Sequence, residues 1–289
     1  MLIKNAIRRF ILRRDLKSWM RLTTVAVVGS VLGMLSSHGL QAVALTEQEV
    51  IDRLQTVPMF TLTDAEGAPL VLNSTDEQTN RSLASFFVSW QDAQLFLENL
   101  RTEYPGLAVQ VVPVSLAEVY ELAIRDRDQI EFAFVPMQSQ IDVARLLLQQ
   151  NGQGVEQFQG VPLFIAQSSN PDEGYLTIRQ DQQEAIPIFF TWEAMQQMLD
   201  RLRQTNSDLA NRMTVQVLSL ENIISVLQSS DTPELNQIVL IPPGESIEII
   251  RSLLPSQNAD EAQETQDLLQ NLEQAIELLK KPFGNGSKL

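Results

Sequence analysis

From Leu45 onward the chain alternates short apolar runs with amphipathic stretches, in an order that occurs twice. Thr46-Glu47-Gln48-Glu49 has the form of a capping box and opens a helix through Leu54. Extended runs follow over 59–62 and 70–72, with a polar loop over 73–81 and a third apolar run over 84–88 suited to a buried strand. Ser89, with Asp92 three residues on, caps a helix whose Ala93, Phe96, Leu97 and Leu100 share one face. The β-branched run 109–114 predicts a strand, and Ser115-Leu116-Ala117-Glu118 a second capping box, opening a helix with Val119, Leu122 and Ala123 inward. A strand over 131–135 stops at Pro136. Ser139 with Asp142 is then expected to cap a helix that buries Val143, Leu146 and Leu147.

The unit therefore reads β-β-β-α-β-α-β-α, and it recurs. Val161, Pro162 and Phe164 lie 104 positions after Val57, Pro58 and Phe60, and Ser219-Leu220 lie 104 after Ser115-Leu116. Trp192, Leu199, Leu202 and Arg203 lie 102 after Trp90, Leu97, Leu100 and Arg101; Pro242 and Arg251 lie 106 after Pro136 and Arg145. So small a drift is what insertions in surface turns produce. Strands alternating with helices predict an α/β fold of two similar repeats of about 100 residues, packed with pseudo-two-fold symmetry. The repeats are expected over 45–155 and 156–255, with Thr191 and Ser219 as helix caps in the second. After a polar linker, Leu268, Leu269, Leu272, Ile276 and Leu279 form a stripe at helical spacing, followed by Lys280 and Lys281 and stopped by Pro282 and Gly284. The segment 256–289 is thus expected to hold a C-terminal helix that docks on the body or on a partner.

Residues 1–44 read as an export signal. Seven Lys and Arg, opposed only by Asp15, precede an uncharged apolar run over 22–35, and Ala42-Val43-Ala44 offers a small-residue cleavage site after Ala44. The run is too short and too rich in Gly, Thr and Ser for a span of about 20 apolar residues. An uncleaved anchor and an organellar transit peptide are the alternatives; Arg13-Arg14 adds a faint twin-arginine likeness. Without this segment 14 Lys and Arg face 35 Asp and Glu, a net charge of −21. Such a surface argues against nucleic acid and against any but peripheral membrane contact.

The chain has no cysteine, and its single histidine is His38, inside the leader. This excludes cysteine nucleophiles, disulfides, His-based triads and zinc sites built on His or Cys in the remaining chain. No Walker loop, dinucleotide fingerprint or EF-hand spacing occurs, and no metal or cofactor is expected. Carboxylate chemistry stays formally open, but 35 acids make chance pairs unavoidable, so the reading is not an enzyme. Where each repeat passes from strand to helix it carries paired aromatics: Phe86, Phe87 and Trp90, then Phe189, Phe190 and Trp192. They are either core or the lining of an apolar groove for client segments, to which Met195 and Met198 would add an adaptable wall.

GVPLF, GYLTI and IPIFFTWEAMQQMLDRL, with the earlier VPMF and FFVSWQDAQLFLENL, resemble the family of the 22-kDa subunit of the chloroplast inner-envelope translocon (Tic), cyanobacterial type, over about 45–254. The resemblance implies an exported protein with a pseudo-symmetric α/β fold and apolar pockets, active in chloroplast import or in outer-membrane biogenesis. It further implies a chaperone-like role: unfolded outer-membrane or imported precursor proteins as clients, escorted to an Omp85-type assembly barrel. The bacterial form of the leader favours the periplasm over the thylakoid lumen or a plastid intermembrane space. A structural adaptor, or a carrier of an apolar ligand such as lipid, is the contrasting expectation.

Overall fold

The computed structural model describes residues 45–73, 82–154, 158–170, 173–180, 183–229, 232–253 and 270. The export signal read over 1–44 with its cleavage site at Ala44, and the C-terminal helix read over 256–289 apart from Gln270, lie outside the described residues.

Helix α1 (Glu47–Leu54) starts where its capping box places it: the Glu49 N–H donates to Thr46 Oγ1 at 3.3 Å, and the Glu49 carboxylate accepts from the Thr46 N–H at 2.7 Å. The first sheet is built from β1 (Pro58–Thr63), β2 (Val71–Asn73), β3 (Ser82–Phe87), β4 (Gln110–Ser115) and β5 (Ile130–Val135). In β3, Phe87 pairs with Phe60 of β1 and, on the other side, with Val135 of β5; Ala84 pairs in the same way with Val71 of β2 and Phe132 of β5. Strands β1 and β2 therefore share one edge of β3, while β5 runs parallel along the other. Strand β4 closes the far edge antiparallel to β1, with Pro58 opposite Ser115.

The second sheet goes through the same pairings with β6 (Pro162–Ser168), β7 (Ile178–Gln180), β8 (Gln183–Phe189), β9 (Met213–Ser219) and β10 (Ile238–Ile241). Phe164 pairs with Phe189, Pro162 with Ser219, and β10 runs parallel to β8. Both sheets are mixed, each carrying one parallel pair at an edge.

Successive residues of a strand point to opposite faces, and here both faces are buried. Met59, Phe86, Leu163, Ile165 and Ile188 point into one central core shared by the two sheets, which also takes in Val50 and Leu54 of α1, Val119 and Tyr120 of α3 (Leu116–Arg125), and Ile223 and Leu227 of α7 (Leu220–Ser229). Their neighbours Phe60, Leu62 and Phe87 turn outward beneath α2 (Trp90–Glu103), whose Ala93, Phe96, Leu97 and Leu100 are buried as its spacing predicts. On the second sheet Phe164, Ala166 and Phe189 turn outward beneath Met195, Met198 and Leu202 of α5 (Trp192–Thr205).

The last helix of each unit crosses over. Ala144, Val143 and Leu147 of α4 (Gln138–Gln150) pack into the outer cluster of the second sheet, and Asn151 at its end donates to the Val215 carbonyl of β9. Ile249 of α8 (Glu245–Leu253) packs against the outer cluster of the first. Two local expectations differ. The N-cap of α4 is Met137, without a side-chain bond, instead of Ser139, because the chain enters the helix directly after Pro136. Leu146 is 58% exposed, and Ala144, Leu148 and the polar Gln140 take the buried face. A short helix α6 (Ser207–Arg212), capped by Asn206, is present only after α5. Among the described residues no helix is long and apolar enough to cross a membrane.

Because α1 fills the central core from the first unit against α7 of the second, Leu54→Ala, at a fully buried position, should cost about 2–5 kcal/mol. Urea unfolding of the two proteins measures this directly; a loss under 1 kcal/mol would mean that α1 is peripheral to the core.

Candidate functional site

Strand alternation decides where the paired aromatics go. Phe86 points into the central core and stacks on Phe132, with ring centroids 5.6 Å apart and planes at 12°. Phe87 points into the outer layer against Phe96 at 5.3 Å. Phe189 and Phe190 divide in the same way, Phe189 outward and Phe190 to the central core, and Met195 and Met198 lie on the buried face of α5, over the second sheet. All six are buried. The groove reading is corrected for them: both faces of each strand are covered, so an FF pair fills two cores at once and presents no surface to a client. Trp90 and Trp192 are half-buried, each edge-on to a strand phenylalanine, Phe60 at 5.5 Å and Phe164 at 5.9 Å.

Apolar surface lies elsewhere, on the first sheet beside β5. Val71, Ala84 and Phe132 form one row across β2, β3 and β5 on the face that carries the central core. Val71 is 40% exposed at the end of that row, and Ile130, Phe132 and Phe134 are half-buried along β5. Ile124 on α3, the helix packed against β5, is 41% exposed. In the second sheet the matching place is filled, with Leu240 on β10 only 1% exposed. Sequence reading missed this face because each of its residues has an ordinary strand or helix position; the loss of cover appears only once the two sheets are set side by side.

A polar cleft of about 490 Å³ opens where the parallel strand pairs end and the N-termini of α2, α4, α5 and α8 converge. Asp92, Glu193 and Glu245 line it, together with Ser89, Thr191 and Gln140. Its organising side chain is Gln140, buried on α4: Oε1 accepts the Trp192 N–H at 2.8 Å and Nε2 donates to Glu193 at 3.0 Å. The first unit thereby caps a helix of the second, and the charged residues sit at helix N-termini, where the backbone dipole favours carboxylates.

A second polar contact marks the entry to β6. The Glu221 carboxylate accepts the Val161 N–H at 3.2 and 3.3 Å, and Gly160, at φ +99°, gives it room, since a Cβ there would collide with the carboxylate. The corresponding N–H in the first unit, that of Val57, donates instead to the Leu54 carbonyl at the end of α1. Burial pushes the Glu221 carboxyl up to about 7, against the two backbone N–H bonds that favour its charged form. The residues 104 positions earlier are Thr56 and Ala117, so the sequence signal was a Gly and a Glu appearing together in the second repeat only.

The raised value fixes a sign. The protonated form is favoured in the fold, so Glu221 supports stability fully below about pH 4.5 and loses that contribution as pH rises through about 7. Glu221→Gln should therefore gain up to about 3 kcal/mol over the parent at pH 8 and nothing at pH 4. Urea midpoints of both proteins at the two pH values test this; a gain that is equal at both would show that the carboxyl does not titrate in the fold.

Comparison with known proteins gives one consistent result. The family described as Tic22-like matches residues 15–252. A chloroplastic protein of Arabidopsis thaliana, "Protein TIC 22-like", is 26% identical over 215 residues, covering 72% of this chain; the chain spans 63% of that relative's length. The solved structure of Anabaena Tic22, titled for protein transport, superposes with a TM-score of 0.63 at 28% identity, over 72% of this chain and 98% of the other. Tic22 from Plasmodium falciparum shares the fold at 16% identity, with a TM-score of 0.58 over 72% and 99% of the two chains.

Proposed function

The chain belongs to the Tic22-like family, and from that premise we propose that it is a non-enzymatic, chaperone-like factor in protein transport. It holds extended apolar segments of outer-membrane precursors in the periplasm and passes them to an Omp85-type assembly barrel. The observation that carries this reading is the apolar face along β5, where Ile130, Phe132 and Phe134 are half-buried and Ile124 of the helix packed on it is exposed, with Val71 exposed two strands away in the same row. Apolar side chains left open at the edge of a core, on an otherwise charged protein, suit an interaction site. An unfolded β-strand with alternate apolar residues offers the complementary chemistry. The strongly acidic remainder of the surface keeps a protein carrying such a segment soluble.

The two units are read as halves about an approximate two-fold axis, a reading supported by their matching strand pairings and exchanged last helices. On this view duplication supplied a scaffold with two equivalent places beside the central core. One is filled by α1, and the other faces clients. Transport chemistry then needs no catalytic group, in keeping with a post-leader chain that lacks histidine and cysteine.

Aggregation of a urea-denatured β-barrel protein, followed by light scattering after dilution, tests the function. The parent should suppress scattering at near-equimolar ratio, and Val71→Asp with Ile124→Asp should weaken suppression about tenfold in concentration while leaving the unfolding free energy from urea titration within about 1 kcal/mol, since both side chains are exposed. No suppression by the parent removes the chaperone reading; suppression unaffected by the two charges moves the client surface elsewhere.

A further inference from the structure

We infer that the face beside β5 is a docking site for this chain's own C-terminal segment, residues 265–281. Helix α1 shows what such a face takes. That helix seals the central core near β10 with Val50, Ile51 and Leu54, is packed on α3 and α7, and is tied to the second unit by Arg53, which donates to the Leu235 carbonyl at 3.2 Å and to Asn236 Oδ1 at 3.0 Å. It is the element that precedes β1. The described residues before β6, 151–154 and 158–160, form no helix, and the Val161 N–H that a preceding helix would bond goes to Glu221. Among the described residues the second unit thus has no counterpart of α1. The place such a helix would take, beside β5, is the apolar face already described, where Phe134 is half-buried although its counterpart Leu240 is 1% exposed.

The C-terminal segment carries the pattern that α1 carries. In α1, Gln48 and the acidic Glu49 precede apolar residues at Val50, Ile51 and Leu54; in the tail, Gln266 and the acidic Asp267 precede Leu268, Leu269 and Leu272 at identical spacing. The stripe continues through Ile276 and Leu279, so the tail can cover a longer strip than the eight residues of α1. Gln270, between the apolar positions, is helical and exposed. Reach is sufficient: the residues between Leu253, the end of α8, and Leu268 span up to about 45 Å when extended. The apolar stripe matches the apolar face, and the missing helix is supplied from the far end of the chain.

This docking does not depend on chaperone activity. A client bound at the same face would compete with the tail for it, and that consequence alone rests on the proposed function.

The absence of cysteine makes the test direct. Full-length chain with Ile124→Cys and Leu272→Cys, at low micromolar concentration and without any client, is treated with a bis-maleimide of about 10 Å. Leu95→Cys with Leu272→Cys is the control, because Leu95 is 47% exposed on α2 in the outer layer. Docking predicts an intramolecular crosslink for the first pair at least fivefold faster than for the control. Equal rates, no crosslink, or a crosslink only between two molecules overturn it, the last outcome pointing to a second copy as the occupant. As an independent readout, Leu268→Glu with Leu272→Glu should speed maleimide labelling of Ile124→Cys severalfold; an unchanged rate also overturns the inference. Neither measurement involves a client, so failure here leaves the light-scattering result to be judged by itself.

Discussion

The structure depends on the central core between the two sheets. Each sheet has apolar side chains on both faces, because its middle strands place large residues at consecutive positions: Met59 and Phe60, Phe86 and Phe87, Leu163 and Phe164, Ile188 and Phe189. A strand apolar on one face can leave the other in water; these cannot. Helices α2 and α5 cover the outer faces, and the inner faces are buried in one cluster common to both units. A single unit would expose Met59, Phe86 and their neighbours, so the halves stabilise each other by hydrophobic burial. The crossing of α4 to the second sheet and of α8 to the first follows the same logic. Each last helix completes the outer layer of the opposite unit, which makes separation of the halves costly on both faces at once.

The departures from the repeat carry the most information about use. Backbone polar groups must be bonded wherever they are buried, and the two units meet this demand differently at one point. Val57 has the end of α1 above it; Val161 has the Glu221 carboxylate, with Gly160 reduced to hydrogen to admit it. The substitution is structural, yet it shows that the second unit is built to stand without a helix at that position. Ile130, Phe132 and Phe134 are half-buried at the edge of the central core, on the side where such a helix would lie. The half-buried row along β5 and the exposed Ile124 beside it are the apolar surface on which the proposed function rests.

The polar cleft has a different character. Its carboxylates lie at helix N-termini and its buried amide is fully occupied in holding the units together, Gln140 bonding both the backbone and the side chain of the α5 N-terminus. It is a seam between the halves, and the sequence offered no sign of it, since a glutamine inside an amphipathic helix normally faces water. Only the crossing of α4 turns that glutamine inward.

Read alone, the amino-acid sequence determined most of the described strands and helices and their order. Local rules suffice for that: hydrophobic periodicity marks strands and helices, and the Thr46, Ser89, Ser115, Thr191 and Ser219 caps each accept a backbone N–H within the first turn of the helices they were expected to start. The FF pairs were visible as well, with core and groove both open, because a strand residue's environment depends on what lies over each face. Tertiary structure alone decided that both faces are covered, which buried Phe86, Phe87, Phe189 and Phe190 and left Val71 and Ile124 in their stead. It also decided which helix covers which sheet. That is a property of long-range packing: no periodicity within α4 says that its apolar side will meet β9 and not the sheet of its own repeat.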